Sequence, residues 1–298
     1  MGDNTMDLAD EENEAGAETI LRDQLARESR ALGSVVPVLR HLLASEGQRL
    51  VSDAILARVR GMLSDLAGQL VAAGHPGAQE ALADTIAGDP ALLAFCHALA
   101  AESHLAERLH QQRGIDPVLS PLLQELIASE TPAIAELAMN ALAAQSRFIQ
   151  SQRRMQLPLT ELPAELFAAV LGASGADGAG RAALLQSYDE GASRIGLLAR
   201  LIGAMRRGAV AALALDHAGP SLFASALSAL SGQDRAHAVL ACHEGQGMRL
   251  ALALRAAGLE AEAIERQFLT LDPAAALPRD LAALSPDRAR VLLGAGAE

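Results

Sequence analysis

Eight histidines and two cysteines are the side chains of this chain best suited to hold a metal or act as nucleophiles. Three of the histidines fall close together, at His97, His104 and His110 in the run HALAAESHLAERLH. Glu107 and His110 form a Glu-x-x-His pair, a spacing that places both side chains on one helix face, as in di-iron bundles. Such centres use two pairs of this kind and two further glutamates. Only Asp234–His237 offers a second, imperfect copy. His97 and His104 are two helical turns apart, too far to share one ion. The spacing predicts no metal site and no cofactor.

The remaining chemistry is equally sparse. His41 stands before a predicted second helix in VLRHLLASE, which suggests an alternative reading as the phospho-accepting histidine of a signalling phosphotransfer protein. A phosphotransfer site needs an exposed histidine in a four-helix bundle, and no phosphorylation box surrounds His41. Gly172–Gly180 (GASGADGAG) is glycine-rich, but phosphate-cradling loops follow a strand, and the P-loop also needs a lysine. All 24 basic residues here are arginine. Cys96 and Cys242 sit within apolar helical patterns and read as small buried hydrophobes in a reducing compartment. No Ser/His/Asp or Cys/His arrangement has a local signature, so no catalytic residues are predicted and the chain does not read as an enzyme.

Charge carries the one non-random pattern. The net charge is −12, with an isoelectric point near 5.1, which argues against nucleic-acid binding because phosphate neutralisation needs a basic surface. Against that background, the stretch between Glu136 and Glu161 has no acid but carries Arg147, Arg153 and Arg154. The stretch between Glu190 and Asp216 also has none, with Arg194, Arg200, Arg206 and Arg207. Two such helices in a stack would share one basic face, paired either with acidic neighbours of the same chain or with an acidic protein partner. Arginine favours bidentate contacts to carboxylate or phosphate.

The elements that position these residues read as helices. Hydrophobic residues make up 51% of the 298 residues and aromatics only 2%, so the core must come from Leu, Ala, Val and Ile. Alanine and leucine favour helix, while the aromatics favoured in strands are nearly absent. Met1–Ala15 is acidic and poor in large apolar residues, and is expected to be a disordered tail followed by an N-terminal helical domain, 16–156. In the clearest helix, Thr131 is a candidate N-cap and Pro132 fills the first turn. Ile134, Leu137, Ala138, Ala141, Leu142, Gln145, Phe148, Ile149 and Gln152 then recur at helical spacing. Pro158 and Pro163 break the pattern, making Leu157–Leu162 a connector to a C-terminal helical domain, 163–298. Asp89 and Asp116 repeat the cap-then-proline opening.

Tight turns between many short helices predict an all-α fold, an irregular stack or HEAT-like α-solenoid. The acidic first eighteen residues do not read as a signal peptide. The longest uncharged span, Ala218–Gln233, has 16 residues against the roughly 20 needed to cross a bilayer, so a cytoplasmic protein without a membrane role is expected.

The segments QSRFIQSQRRMQLPLTELPAELF (Gln145–Phe167), GLLARLI (Gly196–Ile202), SGQDRAHAVLA (Ser231–Ala241) and RLALALRAAGL (Arg249–Leu259) resemble an alphaproteobacterial helical family, the domain of unknown function 2336 family. The resemblance spans roughly the second half of the chain. It implies an all-α, HEAT-like fold and supplies no catalytic residues. The combined expectation is a non-enzymatic helical interaction module, a bacterial adaptor or regulator that binds another protein.

Overall fold

Alanine and leucine leave their mark on the backbone: helices follow one another along the chain, and no strand occurs among the described residues. In the computed structural model, the described residues are 4–44, 52–175, 178–243, 245–272, 277, 281 and 284–295, with side chains described from residue 18 onward except at 41–44 and 295. The fold is an all-α helical stack. Among these residues no helix is long and apolar enough to cross a membrane.

The first helices are α1 (Asn4–Gly33), α2 (Val35–Ala44), α3 (Asp53–Ala72), α4 (Gln79–Ala87) and α5 (Pro90–Arg113). They are followed by α6 (Pro121–Ile127), α7 (Pro132–Arg153), α8 (Ala164–Ala173), α9 (Ala179–Ser187) and α10 (Arg194–Met205). A 3₁₀ segment, Arg206–Leu213, leads to α11 (Leu215–Ser231), α12 (Arg235–Ala241), α13 (Gly247–Ala256), α14 (Ala261–Leu271) and α15 (Pro286–Ala295). Helix α1 begins inside the acidic segment expected to be a disordered tail: helical backbone runs from Asn4 without interruption.

Caps account for several helix starts. The side chains of Asp89, Ser193 and Asp234 accept backbone N–H groups in the first turns of α5, α10 and α12. Two expected caps work differently. The Thr131 side chain makes no capping bond, and its own N–H donates to Ser129 Oγ at 3.2 Å. Asp116 folds a tight turn by accepting from Val118 and Leu119, which postpones the helix to Ser120–Pro121. Helix α11 breaks at Gly219, whose φ of +71° is followed by Pro220, so its regular part starts after that proline.

Packing runs across the expected domain boundary. One apolar cluster joins Leu21 and Leu25 of α1, Leu105 and Leu109 of α5, and Ala138, Ala141 and Ala144 of α7 to the helices from α10 onward. The other joins α3 and α4 to Leu92, Leu93, Cys96 and Leu99 of α5, and to Phe148 and Ile149 at the end of α7. Leu157, Leu159 and Leu162 of the proline-flanked connector are buried in this second cluster. Helices α5 and α7 therefore each serve both clusters, and the connector is a core element. Its backbone is clamped by α3: Gln69 Nε2 donates to Leu157 O at 2.9 Å, Gln69 Oε1 accepts from Leu159 N at 2.9 Å, and Asp65 Oδ2 accepts from Leu157 N at 3.0 Å.

Candidate functional site

The seven arginines of the two acid-free windows part company in the structure. Arg194, the first residue of α10, is 1% exposed and turned inward. Its Nη1 and Nη2 donate to Glu102 Oε1 and Oε2 at 2.7 and 2.8 Å. Arg235 approaches the same carboxylate from α12, with Nη2 to Oε1 at 2.8 Å and Nη1 to Oε2 at 2.9 Å. Ser221 Oγ donates to Glu102 Oε1 at 2.8 Å, and Gln145 Oε1 accepts from Arg194 Nη1 at 3.1 Å. The Arg194 guanidinium also lies 3.6 Å from the centroid of the Phe148 ring, a cation–π contact.

This hub ties α5, α7, α10, α11 and α12 together. Burial by itself would raise the Glu102 pKa, but the two guanidiniums outweigh it and hold the carboxyl well below its usual range. Glu102 therefore stays ionised and presents no labile proton for catalysis. Arg194, expected on an external basic face, serves this internal pair, because burying a guanidinium is costly and a carboxylate beside it offsets that cost. The sequence reading missed Glu102 altogether. Its signal was available: Glu102 lies three residues after Leu99 and three before Leu105, on the buried side of α5.

The exposed arginines frame a cleft. Arg147 and Arg154 at the end of α7 border a cavity of about 250 Å³ with an apolar wall that includes Leu99, Phe148, Leu157 and Ile195. Neither arginine has an ion pair or hydrogen bond from its side chain among the described residues. Gln152 lines the same cleft at 1% exposure, and its Oε1 has no hydrogen-bond donor. Glu161 is also at the edge, its Oε2 accepting the Arg194 backbone N–H at 2.8 Å.

Apart from Arg194 at the wall, the arginines of the other window lie away from this cleft. Arg200 is exposed and its Nη1 donates to Gly191 O at 3.2 Å. Arg206 and Arg207 are exposed beyond the far end of α10, about 18 Å from Arg194 at the helical rise of 1.5 Å per residue. Arg153 is exposed but does not border the cleft. The single basic face expected from the two windows is thus reduced to Arg147 and Arg154, with the start of α10 forming part of the wall.

The histidines are dispersed. Glu107, half of the Glu-x-x-His pair with His110, is taken by Arg58, whose Nη2 donates to its two oxygens at 2.6 and 2.7 Å. His110 Nδ1 lies 3.2 Å from Ile115 O, and the rings of His104 and His243 are 6.5 Å apart. Asp234, of the second pair, caps α12. Among the described residues, no group of three His, Cys, Asp or Glu side chains is placed to hold a metal ion. His41 falls on α2, and its side chain lies outside the described residues. In the glycine-rich stretch, residues 176 and 177 lie outside the described residues, and the part that follows opens α9 with Gly178 at φ +84°. Cys96 and Cys242 are buried, which pushes both thiols up to about 12 and leaves them without thiolate character at neutral pH. Compared with family models, curated proteins and solved structures, the chain matches none.

Proposed function

We propose that the protein is a non-enzymatic helical interaction module, a bacterial cytoplasmic adaptor or regulator whose partner docks over the cleft between the end of α7 and the start of α10. The observation that carries this reading is the pair of unpaired arginines, Arg147 and Arg154, beside an apolar wall in a chain of net charge −12. In a chain with that excess of acid, internal neutralisation of two exposed arginines is easily available, and neither receives it. A cleft of about 250 Å³ falls below the 300–1,000 Å³ of most small-molecule sites, which suits one large side chain of a protein partner. The buried Gln152 Oε1 then supplies an acceptor for a partner N–H. The HEAT-like resemblance of the second half fits a surface built for protein contacts.

The test is quantitative binding of a partner isolated on the wild-type protein, purified and titrated against the Arg147→Glu/Arg154→Glu variant. Reversing two charges at the edge of an interface is expected to weaken binding by at least about tenfold, chiefly through the association rate and more strongly at low salt. Unchanged affinity in the variant overturns the reading.

A further inference from the structure

Among the described residues two arginines are more than nine-tenths buried, and only one of them is matched by a carboxylate. Arg194 has Glu102. Arg249, the third residue of α13, is 3% exposed, and no carboxylate among the described residues lies within ion-pair distance of its guanidinium. Its Nη2 donates to Ser29 Oγ, and its buried Nε has no acceptor at all. The nearest candidate counter-charge, Glu28, spends both carboxylate oxygens on the backbone N–H groups of Met248 and Arg249, at 2.8 and 2.7 Å. It acts on the guanidinium only from beyond contact. Burial lowers the Arg249 pKa, with Glu28 opposing that shift. A buried charge left in this state is costly, and such a cost persists where a ligand completes the pair.

Arg249 lines a cavity that fits a ligand. The space, about 470 Å³, lies between the α1–α2 turn and helices α5, α12 and α13. That volume is within the range of small-molecule sites. Leu32, Val35, Val36 and Leu240 provide an apolar side. His97 is 7% exposed at the wall, and His237 is exposed at the mouth. The charged residues on the lining are Arg30, Arg249 and Asp234, with the Glu28 carboxylate behind Arg249 turned to the backbone, so the Arg249 guanidinium itself is the one buried charge there without a direct carboxylate partner among the described residues.

We infer that this cavity is a binding site for a small amphipathic monocarboxylate, its carboxylate on Arg249 and its hydrocarbon against Leu32, Val35, Val36 and Leu240. With the Asp234 and Glu28 carboxylates already near the arginines, a monoanion is accommodated better than a phosphate dianion. The apolar side excludes a bare inorganic anion as the natural occupant, because that surface would stay wet and unused. This site shares no residue with the cleft beside α7 and stands or falls separately from it.

The experiment is a thermal-shift and calorimetric titration of the whole protein with octanoate, octyl phosphate and 1-octanol. Octanoate is expected to give a saturable calorimetric isotherm and to raise Tm by about 5 °C at a hundredfold excess over Kd, with 1-octanol giving no comparable shift. The Arg249→Met variant, which keeps bulk but removes the unmatched charge, is expected to have a ligand-free Tm no lower than that of the wild type and no response to octanoate. Any of these results overturns the inference: equal shifts from octanol and octanoate, tighter binding of octyl phosphate than of octanoate, or an octanoate response retained in Arg249→Met. The first two are read on the wild-type protein, so they decide the matter even if the variant fails to fold. Absence of any octanoate shift on the wild type also overturns it.

Discussion

At the scale of single residues, the decisive groups are carboxylates and guanidiniums that the chain brings together from far apart. Glu102 meets Arg194 across 92 positions and Arg235 across 133. Breaking such a cluster on one side costs more than never building it, because the remaining charges stay buried and unmatched. Glu102→Gln leaves two guanidiniums facing a neutral amide and is expected to lower unfolding free energy by about 3–5 kcal/mol. Replacing the whole set, Glu102→Leu with Arg194→Met and Arg235→Met, is expected to recover most of that loss. Urea denaturation of the two variants checks both. A loss below about 1 kcal/mol in Glu102→Gln would show that the hub contributes little. The burial of Glu102 was readable from its place on α5, but its pairing was not, for a plain reason: an arginine in an acid-free stretch looks available, and nothing local reveals a partner 92 residues away.

At the scale of elements, helix α3 decides how the end of α7 turns into the connector. Gly61 lies against Met155, which follows α7 at a φ of +56°. A Cβ at Gly61 would sit 2.3 Å from Met155 Cβ and 2.8 Å from Met155 O, so α3 or the turn must move. Gly68, two turns along the same helix, offers a contrast, since a Cβ there meets only the end of the Gln79 side chain at 3.2 Å. Alanine gains about 1 kcal/mol over glycine within a helix, while overpacking costs about 1–3 kcal/mol. Gly61→Ala is therefore expected to destabilise by about 1 kcal/mol and Gly68→Ala to stabilise by a smaller amount, both read by denaturant midpoint. Because Met155 stands between Arg154 and Gln156 at the cleft, the first variant should also weaken partner binding. Helix existence was largely readable here: the periodicity of α7 and the cap at Asp89 follow from local chemistry. The connector's role was not, since two prolines announce a chain break while only Asp65 and Gln69, 92 and 88 residues before Leu157, reveal that the break is packed.

At the scale of the whole molecule, helices α5 and α7 serve both apolar clusters, so buried ionisable groups near α5 should register in global stability. His97 of α5 is held down to about 4 from its usual 6.5, by burial first and then by His243. His237, on the same cavity, is lowered too, by burial first and then by Arg249, with Asp234 opposing. A histidine depressed in this way is neutral in the folded state while the unfolded chain takes up a proton below pH 6.5. Its contribution to stability is therefore complete above pH 6.5 and falls as pH drops toward 4, by about 3 kcal/mol over the window. Glu28 works in the opposite sense, since burial raises its pKa and the folded state gains a proton before the unfolded one does. Glu102, held low by its arginines, keeps its contribution until the pH falls below the ordinary carboxylate range. Between pH 6.5 and 4.5 His97, with His237 adding in the same direction, should thus set the slope. Denaturation across that interval is expected to show stability declining with acid, and the His97→Gln variant is expected to flatten the decline by about 2–3 kcal/mol in total. A slope unchanged by the substitution would place the sensitive proton on another group.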